Sequence, residues 1–274
     1  MREGDVTFAE RSRWLRQEVF EMVVRTRRGH VPSSFSCAEI LVALFYGGVL
    51  RWERGRPDAP ERDRLIVSKG HAAMALYPIL ADAGFLPPDA LAGFARADGL
   101  LRMYADPSIP GIEAVSGSLG HGLGIAAGFA FAARHDGASR RAFVLLGDAE
   151  CSEGSIWESA LWAAHRRLDN LVAIVDRNRC CILGDTEELM ALGDVADKWR
   201  SFGWDAVTVD GHDVEALLGA FARLGKTNGR PLAIVANTVK GKGISFMEGR
   251  PEWHNRMPGE AEVAQARREL AAEA

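Results

Sequence analysis

The chain contains 274 residues, which is enough for one large α/β domain or two small ones. Hydrophobic residues make up 47% and charged residues 26%, as in ordinary globular proteins, and the net charge of −4 gives no reason to expect binding to nucleic acid or to a membrane surface. No apolar run is long enough to span a bilayer, residues 1–5 lack a signal-peptide core, and four cysteines do not suggest a disulfide framework, so we expect a reduced, cytoplasmic protein.

The amino-terminal part of the chain is predicted to be mainly helical. Residues Phe8 to Arg27 have the apolar spacing of an amphipathic helix, and Cys37 to Tyr46 form a second helix for which Ser36 is a plausible N-cap. The charged, proline-bearing segment Arg51 to Arg64 is expected to be a surface loop. A short strand, Leu65 to Val67, follows it.

The central part is predicted to be a β-α-β unit. A helix rich in glycine and alanine is expected from Leu119 to Arg134. The apolar runs Phe143–Leu146 and Leu171–Val175 have the character of buried parallel strands, and the segment Ser152 to Arg167 between them has helical spacing.

The carboxy-terminal part continues the alternation of strands and helices. We expect a strand at Ala206–Val209, a helix at Val214–Leu224 capped by Asp213, and a strand at Leu232–Ala236. The charged, alanine-rich tail from Pro258 is predicted to be one exposed helix. The alternation indicates an α/β fold with a mainly parallel sheet.

Polar residues follow the two central strands. Asp148 lies just after the first strand and Asn178 just after the second. Ligands of open α/β sheets bind at the carboxyl ends of strands, and neighbouring strands are about 5 Å apart, so these two side chains are expected to share one cation. Both offer hard oxygen donors, which Mg²⁺ and Ca²⁺ prefer, and Mg²⁺ usually completes its shell with phosphate and water. A metal-bound diphosphate is therefore the expected ligand.

The segment Gly147–Gly184 resembles the thiamine-diphosphate motif of transketolases, which opens with Gly-Asp-Gly and closes on Asn. The resemblance makes the side chains of Asp148 and Asn178 and the backbone carbonyl of Cys180 the metal ligands. It also implies that Gly147 and Ala149 contact the cofactor, although Ala149 stands where the family has Gly.

The resemblance covers nearly the whole chain, with further motifs in transketolase order: Arg28–His30, Ser68–Ala72, Pro110–Glu113, Gly117–Gly122, Thr238–Gly243 and Trp253–His254. It implies a three-layer α/β/α thiamine-diphosphate-binding fold over residues 1–274 as one domain, with Gly117 and Leu119 among the cofactor contacts. The competing dinucleotide fingerprint at Gly122–Gly128 lacks the strand that should precede it, because residues Glu113 to Ser116 make a poor strand.

The resemblance also gives roles to histidines. In transketolases the positions of His30, His71 and His254 line the funnel above the thiazolium ring, where imidazoles hydrogen-bond sugar hydroxyls and move protons. His121 stands where the family often has Gln, and either a structural or a functional role fits it. The other histidines are expected to be solvated and uninformative: His135, His165 and His212.

Two acidic residues are interpreted differently. The family position of Glu153 meets the catalytic Glu of a partner domain, whereas Glu150 is expected to face solvent or to make a loop contact. No catalytic Glu for the aminopyrimidine ring is recognisable in this chain. The chain is therefore predicted to be the N-terminal subunit of a split transketolase, inactive alone, which forms an α2β2 heterotetramer with a second subunit that carries the pyrimidine-binding domain and that Glu.

Two departures concern the substrate of the expected two-carbon ketol transfer. Tyr104 replaces a family His, and the segment Val31–Phe35 is unusual, so an ordinary sugar phosphate need not be the substrate. One alternative is a subunit of another thiamine-dependent enzyme, either a 2-oxo acid dehydrogenase α subunit or a relative of deoxyxylulose-phosphate synthase. The segment Leu168–Leu171 and the early histidines favour a transketolase over these. A non-catalytic interaction module is the third hypothesis, and the presence of Asp148 and Asn178 argues against it.

Overall fold

The centre of the molecule is a five-stranded sheet in which every described pairing is parallel, and the computed structural model describes residues 6–272. The strand order is β1-β2-β3-β5-β4. The strands are β1 (Arg64–Val67), β2 (Ala142–Gly147), β3 (Leu171–Arg177), β4 (Asp205–Asp210) and β5 (Leu232–Asn237). Residues 1–5, which are predicted to lack a signal-peptide core, lie outside the described part.

Helices cover both faces of this sheet. In chain order the α-helices of the described residues are α1 (Phe8–Thr26), α2 (Val31–Phe35), α3 (Ala38–Tyr46), α4 (Leu76–Asp82), α5 (Gly122–His135), α6 (Gly154–His165), α7 (Thr186–Met190), α8 (Val195–Ser201), α9 (Val214–Phe221) and α10 (Glu260–Ala272). Short 3-10 helices occupy Gly70–Ala75, Ala90–Gly93, Ala149–Ser152 and Pro251–Trp253. None of the helices in residues 6–272 is long and apolar enough to cross a membrane.

Alternation along the strands creates two apolar layers. In β3, Val172 and Ile174 belong to the core shared with α1, α3, α9 and α10. The intervening Ala173 and Val175 belong to the core shared with α5, α6 and α8. Because successive side chains of a strand point to opposite faces, this division makes a three-layer α/β/α arrangement.

Several predicted elements are displaced or differ in character. The helix expected from Leu119 begins at Gly122, and the helix expected over Ser152–Arg167 divides into a 3-10 turn and α6. The expectation that Ser36 caps α3 is wrong: Cys37 is the N-cap residue, without a side-chain cap bond, and the Ser36 hydroxyl instead donates to Asp176 at 2.6 Å.

The predicted exposed tail and surface loop are both partly buried. Helix α10 buries Val263, Ala266 and Leu270 in the core that it shares with α1. In the loop before β1, Asp63 is 2% exposed and accepts the backbone N–H groups of Arg51 and Arg141 at 2.9 and 2.7 Å. Both guanidinium groups also donate to the Asp63 carboxylate, so this residue joins the loop to the start of β2.

Candidate functional site

A cavity of about 250 Å³ opens at the carboxyl ends of β2 and β3. All the residues predicted for catalysis, cofactor or metal binding line it, with the exception of Glu153: His30, His71, Gly117, Leu119, Gly147, Asp148, Ala149, Asn178, Cys180 and His254. Glu153 lies beside this group, because a Cβ atom on Gly120 would approach its side chain to 2.7 Å. The chain therefore brings segments distant in sequence to one edge of the sheet, as a parallel sheet requires of its ligand sites.

Asp148 and Asn178 present their oxygen atoms at this edge. The Asp148 carboxylate accepts the backbone N–H groups of Ala149 at 2.8 Å and Arg179 at 2.6 Å, and Asn178 Oδ1 accepts the N–H of Cys180 at 3.1 Å. Asp148 is 2% exposed, and burial, followed by the nearby charge of Asp176, raises its pKa to about 6. No described Lys, Arg or His forms an ion pair with it.

This donor set fits a hard cation, because a buried carboxylate and an amide oxygen are suitable ligands and the carboxylate charge lacks a paired cation among the described residues. The third expected ligand, the Cys180 carbonyl, accepts a hydrogen bond from Lys240 Nζ at 2.8 Å. Residues 6–272 contain no group of three His, Cys, Asp or Glu side chains that could hold a metal. A cation here would thus need phosphate and water oxygens to complete its shell.

A buried ion pair, which the sequence analysis did not assign, supports Asn178 from below. Lys69 Nζ donates to Asp176 and to the Ser33 carbonyl, the latter at 2.9 Å, and both charged side chains are almost fully buried. Asp176 also accepts from Ser36, from Thr238 and, at 3.4 Å, from Asn178 Nδ2. Burial raises the pKa of Asp176, but Lys69 outweighs it and holds the pKa below its ordinary value. A charged residue directly after an apolar strand was the available signal.

Three histidine rings meet above this edge. The ring centroids of His30 lie 5.6 Å from His71 and 5.3 Å from His254, and those of His71 and His254 are 5.3 Å apart. Burial is the main cause that lowers the pKa of His71 to about 2 and of His254 to about 4, and it also lowers that of His30. All three imidazoles are therefore neutral at neutral pH, and each can both donate and accept a hydrogen bond.

The ends of these imidazoles are unequally engaged. Lys240 Nζ donates to His254 Nδ1 at 2.9 Å, which leaves the ring proton of His254 on Nε2. His30 Nδ1 is buried and has no hydrogen-bond partner among the described residues. Tyr104, whose ring centroid lies 6.1 Å from that of His30, is 43% exposed at the mouth. The pocket therefore has an unused hydrogen-bonding atom next to its entrance.

Glu150 does not face solvent, so that part of its expectation is wrong, although it does contact loops. It is 2% exposed and accepts from the Ser68 hydroxyl and from the backbone N–H groups of Gly120 and Gly147, at 2.9 and 3.0 Å. Burial raises its pKa above the ordinary value despite these donors. One carboxyl group thus joins three loops that form the cavity wall.

Two remaining histidines have different places. His121 is exposed, lies outside the cavity lining and has its Nδ1 2.9 Å from the Leu119 carbonyl. The expectation that His212 is solvated is wrong: its Nε2 accepts from the Val239 N–H at 2.8 Å, and its Nδ1 lies 2.9 Å from Glu39. His212 therefore joins α3 to the segment after β5.

With this geometry in place, comparison with known proteins decides the family. The family described as "Transketolase, thiamine diphosphate binding domain" matches residues 9–274. This chain belongs to that transketolase family. The resemblance, the fold class and the prediction of a transketolase-type transferase are confirmed, as is the expectation of thiamine diphosphate.

Two similar proteins cover most of the chain. The first of the two named subunits of apulose-4-phosphate transketolase from Phocaeicola vulgatus is 38% identical over 93% of this chain and 90% of its own length. The 6-deoxy-6-sulfo-D-fructose transketolase subunit SqwG of a Clostridium species is 38% identical over 93% of both chains.

Solved transketolases share the fold. The transketolase from Leishmania mexicana matches with a TM-score of 0.90 and 27% identity over 97% of this chain and 41% of its own. The transketolase from Campylobacter jejuni matches with a TM-score of 0.90 and 29% identity, over 96% and 42%. This chain therefore spans about two fifths of these longer proteins.

Proposed function

We propose that this chain is the thiamine-diphosphate- and metal-holding subunit of a two-chain transketolase that transfers a two-carbon ketol unit between sugars. The observation that carries the proposal is the cluster of three neutral histidines directly above the Asp148–Asn178 edge. Two relatives that match over most of their length are named as transketolase subunits, which supports a divided enzyme for this chain as well.

Each side of the cavity has a distinct task in this proposal. Asp148, Asn178 and the Cys180 carbonyl hold Mg²⁺ or Ca²⁺, and the backbone around Gly147 and Ala149 approaches the diphosphate. Gly117 and Leu119 line the opposite wall. Thiamine diphosphate supplies the nucleophilic carbon that carries the two-carbon unit.

The histidines act on the sugar. Neutral imidazoles can accept a hydroxyl proton or donate to a carbonyl oxygen without first releasing a charge. His30 has a buried Nδ1 with no partner among the described residues, and Lys240 fixes the tautomer of His254. We assign His30, His71 and His254 to orienting the sugar and moving its protons, with Tyr104 in contact with its outer part.

The partner is proposed to be a subunit with the pyrimidine-binding domain and the catalytic Glu, in an α2β2 complex. Glu153 is exposed and makes no side-chain cap bond at the start of α6, which leaves its carboxylate available to that Glu. Large apolar side chains are exposed in the segments next to it: Leu119, Phe131, Leu161, Trp162, Ile182 and Leu183. Exposed apolar surface of this kind is typical of a protein interface.

Reconstitution tests the proposal. The chain should be produced together with candidate subunits that carry a pyrimidine-binding domain, and the purified complex should be assayed for ketol transfer and for 2-oxo acid decarboxylation. Ketol transfer that requires both chains, thiamine diphosphate and a divalent cation is the expected result. Decarboxylation without ketol transfer would assign the chain to a different thiamine-dependent enzyme, and cofactor binding without either reaction would favour an interaction module.

A further inference from the structure

A second cavity, of about 760 Å³, lies beside the histidine pocket and is lined by four arginines: Arg25, Arg28, Arg96 and Arg102. All four are exposed, and Asp98 is the one acidic residue in the described lining. The local excess of positive charge contrasts with the net charge of −4 for the whole chain. Such a concentration of guanidinium groups attracts anions.

The wall of this cavity is held in place by specific contacts. The backbone N–H of Ala95, which has a left-handed φ of 54°, donates to the Leu101 carbonyl at 2.8 Å and closes the turn between Arg96 and Arg102. The buried Tyr77 hydroxyl donates to the Arg102 carbonyl at 2.7 Å. A strained residue that persists in a closed turn indicates that the surrounding structure fixes the turn's shape.

The arginines remain available to a ligand. Arg28 has no described hydrogen bond or ion pair through its guanidinium group. Arg102 pairs with Asp106 at 3.1 Å, but its side chain is 66% exposed, and such surface pairs contribute only about 0–1 kcal/mol. A tetrahedral oxyanion that accepts two forked hydrogen bonds would compete well with this pair.

The two cavities meet along two short segments. Arg28 lines the arginine cavity and His30 the histidine pocket, while Arg102 and Met103 line the former and Tyr104 the latter. Residues two apart have Cα atoms within about 7 Å. A sugar whose carbonyl end lies among the histidines would extend its other end toward Arg28 and Arg102.

We infer that Arg28 and Arg102 bind the anionic terminal group, a phosphate or sulfonate, of the sugar substrate. This inference rests on the proposed function, since it places that sugar in the neighbouring pocket. Two relatives carry names with a phosphorylated and a sulfonated sugar, so charged sugars do occur in the names of similar proteins.

The first measurement uses the isolated full chain, without divalent metal, and follows the arginine Nε–Hε NMR signals during titration with inorganic phosphate and with sulfate. We expect a dissociation constant on the order of 1 mM. Arg28→Gln and Arg102→Gln should raise it by at least about fivefold, because each removes one forked donor. Lys226→Gln removes one exposed positive charge before β5, at the opposite edge of the sheet, and should leave it unchanged.

The second measurement uses the complex with its partner subunit. For a ketose that carries phosphate or sulfonate, both arginine variants should raise KM by at least about fivefold and change kcat by less than about twofold, because uniform binding is lost. The KM of an uncharged ketose should not change. Absence of phosphate binding, an equal effect of Lys226→Gln, or an unchanged KM for the charged ketose would overturn the inference.

The two measurements separate this inference from the proposed function. If the wild-type complex transfers no ketol unit from any ketose, then the proposed function fails, and the assignment of the arginines to a sugar substrate fails with it. If ketol transfer is present but the arginine variants behave like Lys226→Gln, then the proposed function stands and only the anion site is wrong.

Discussion

Lys240 Nζ lies 2.9 Å from His254 Nδ1 and 2.8 Å from the Cys180 carbonyl oxygen, so one ammonium group connects the histidine cluster to the proposed metal site. Burial lowers the pKa of Lys240 below its ordinary value. The lysine donates to both partners, which fixes the orientation of the imidazole and of the carbonyl. Neither contact follows from the sequence, because Lys240 and His254 belong to different motifs.

Replacing this lysine tests its positioning role. Lys240→Met keeps a chain that fills the buried space but removes the donor, so His254 can adopt either tautomer. We expect kcat of the assembled enzyme to fall by at least about tenfold, within the range that general acid–base groups contribute. Lys242→Met is the matched control, since Lys242 is 38% exposed and makes only a 3.9 Å ion pair. Equal effects of both changes would show that Lys240 does not position His254.

The metal site gives a second prediction. Asp148→Ala removes the anionic ligand, for which diphosphate and water compensate only in part. Thiamine-diphosphate affinity of the assembled enzyme should fall by at least about tenfold, or roughly 1.4 kcal/mol, and Asn178→Ala should act similarly. Calorimetric titration with and without Mg²⁺ measures this. Unchanged, metal-dependent affinity in both variants would remove the assigned site.

The histidine cluster gives a third prediction. If His30, His71 and His254 contact the sugar, then replacing each by Ala should lower turnover by at least about tenfold while cofactor affinity changes by less than about threefold. His135→Ala is the control, because His135 is exposed at the end of α5. Steady-state kinetics together with cofactor titration separate the two effects. Small and equal changes at all four positions would make these histidines structural.

Asp63 gives a prediction for stability and pH. Burial raises its pKa, but hydrogen bonds from Arg141 and Arg51 outweigh burial and hold the pKa below the ordinary value. Its contribution to the free energy of unfolding is thus complete above the unfolded pKa of about 3.9 and is lost as pH falls through the lower folded value.

Asp63→Asn should therefore destabilise the chain at pH 7 by about 1–3 kcal/mol, and the difference from wild type should shrink below about pH 4. Urea unfolding at several pH values measures both quantities. Asp98→Asn is the control, because Asp98 is 81% exposed in its pair with Arg96 and should change stability by less than about 0.5 kcal/mol. A loss at Asp63 that stays constant down to about pH 3 would contradict the role of its charge.

The strands and the polar residues at their ends were predictable because their signals are local. An apolar run such as Leu171–Val175 has few alternatives to a buried strand, and Asp148 and Asn178 follow such runs directly. Glu150 and His212 were misjudged because their burial depends on loops far away in the sequence. Glu150 contacts Ser68 and Gly120, and no local pattern records those neighbours.

The interface gives the last prediction. Glu153 is the N-cap residue of α6, but its side chain makes no cap bond, so Glu153→Gln should leave the fold of this chain intact. In the two-chain proposal the change should impair assembly or activation of the cofactor. Glu158→Gln, exposed on the same helix, is the control and should assemble normally.

The decisive measurement for the divided enzyme is exchange of the carbon-2 proton of thiamine diphosphate, followed by NMR in deuterated buffer. The isolated chain should show only the background rate, because the activating Glu and the second wall of the cofactor site are proposed to come from the partner. Addition of the partner should restore exchange for wild type and for Glu158→Gln, and less for Glu153→Gln. Robust exchange by the isolated chain would mean that the activating acid lies in this chain, and the two-chain proposal would then be wrong.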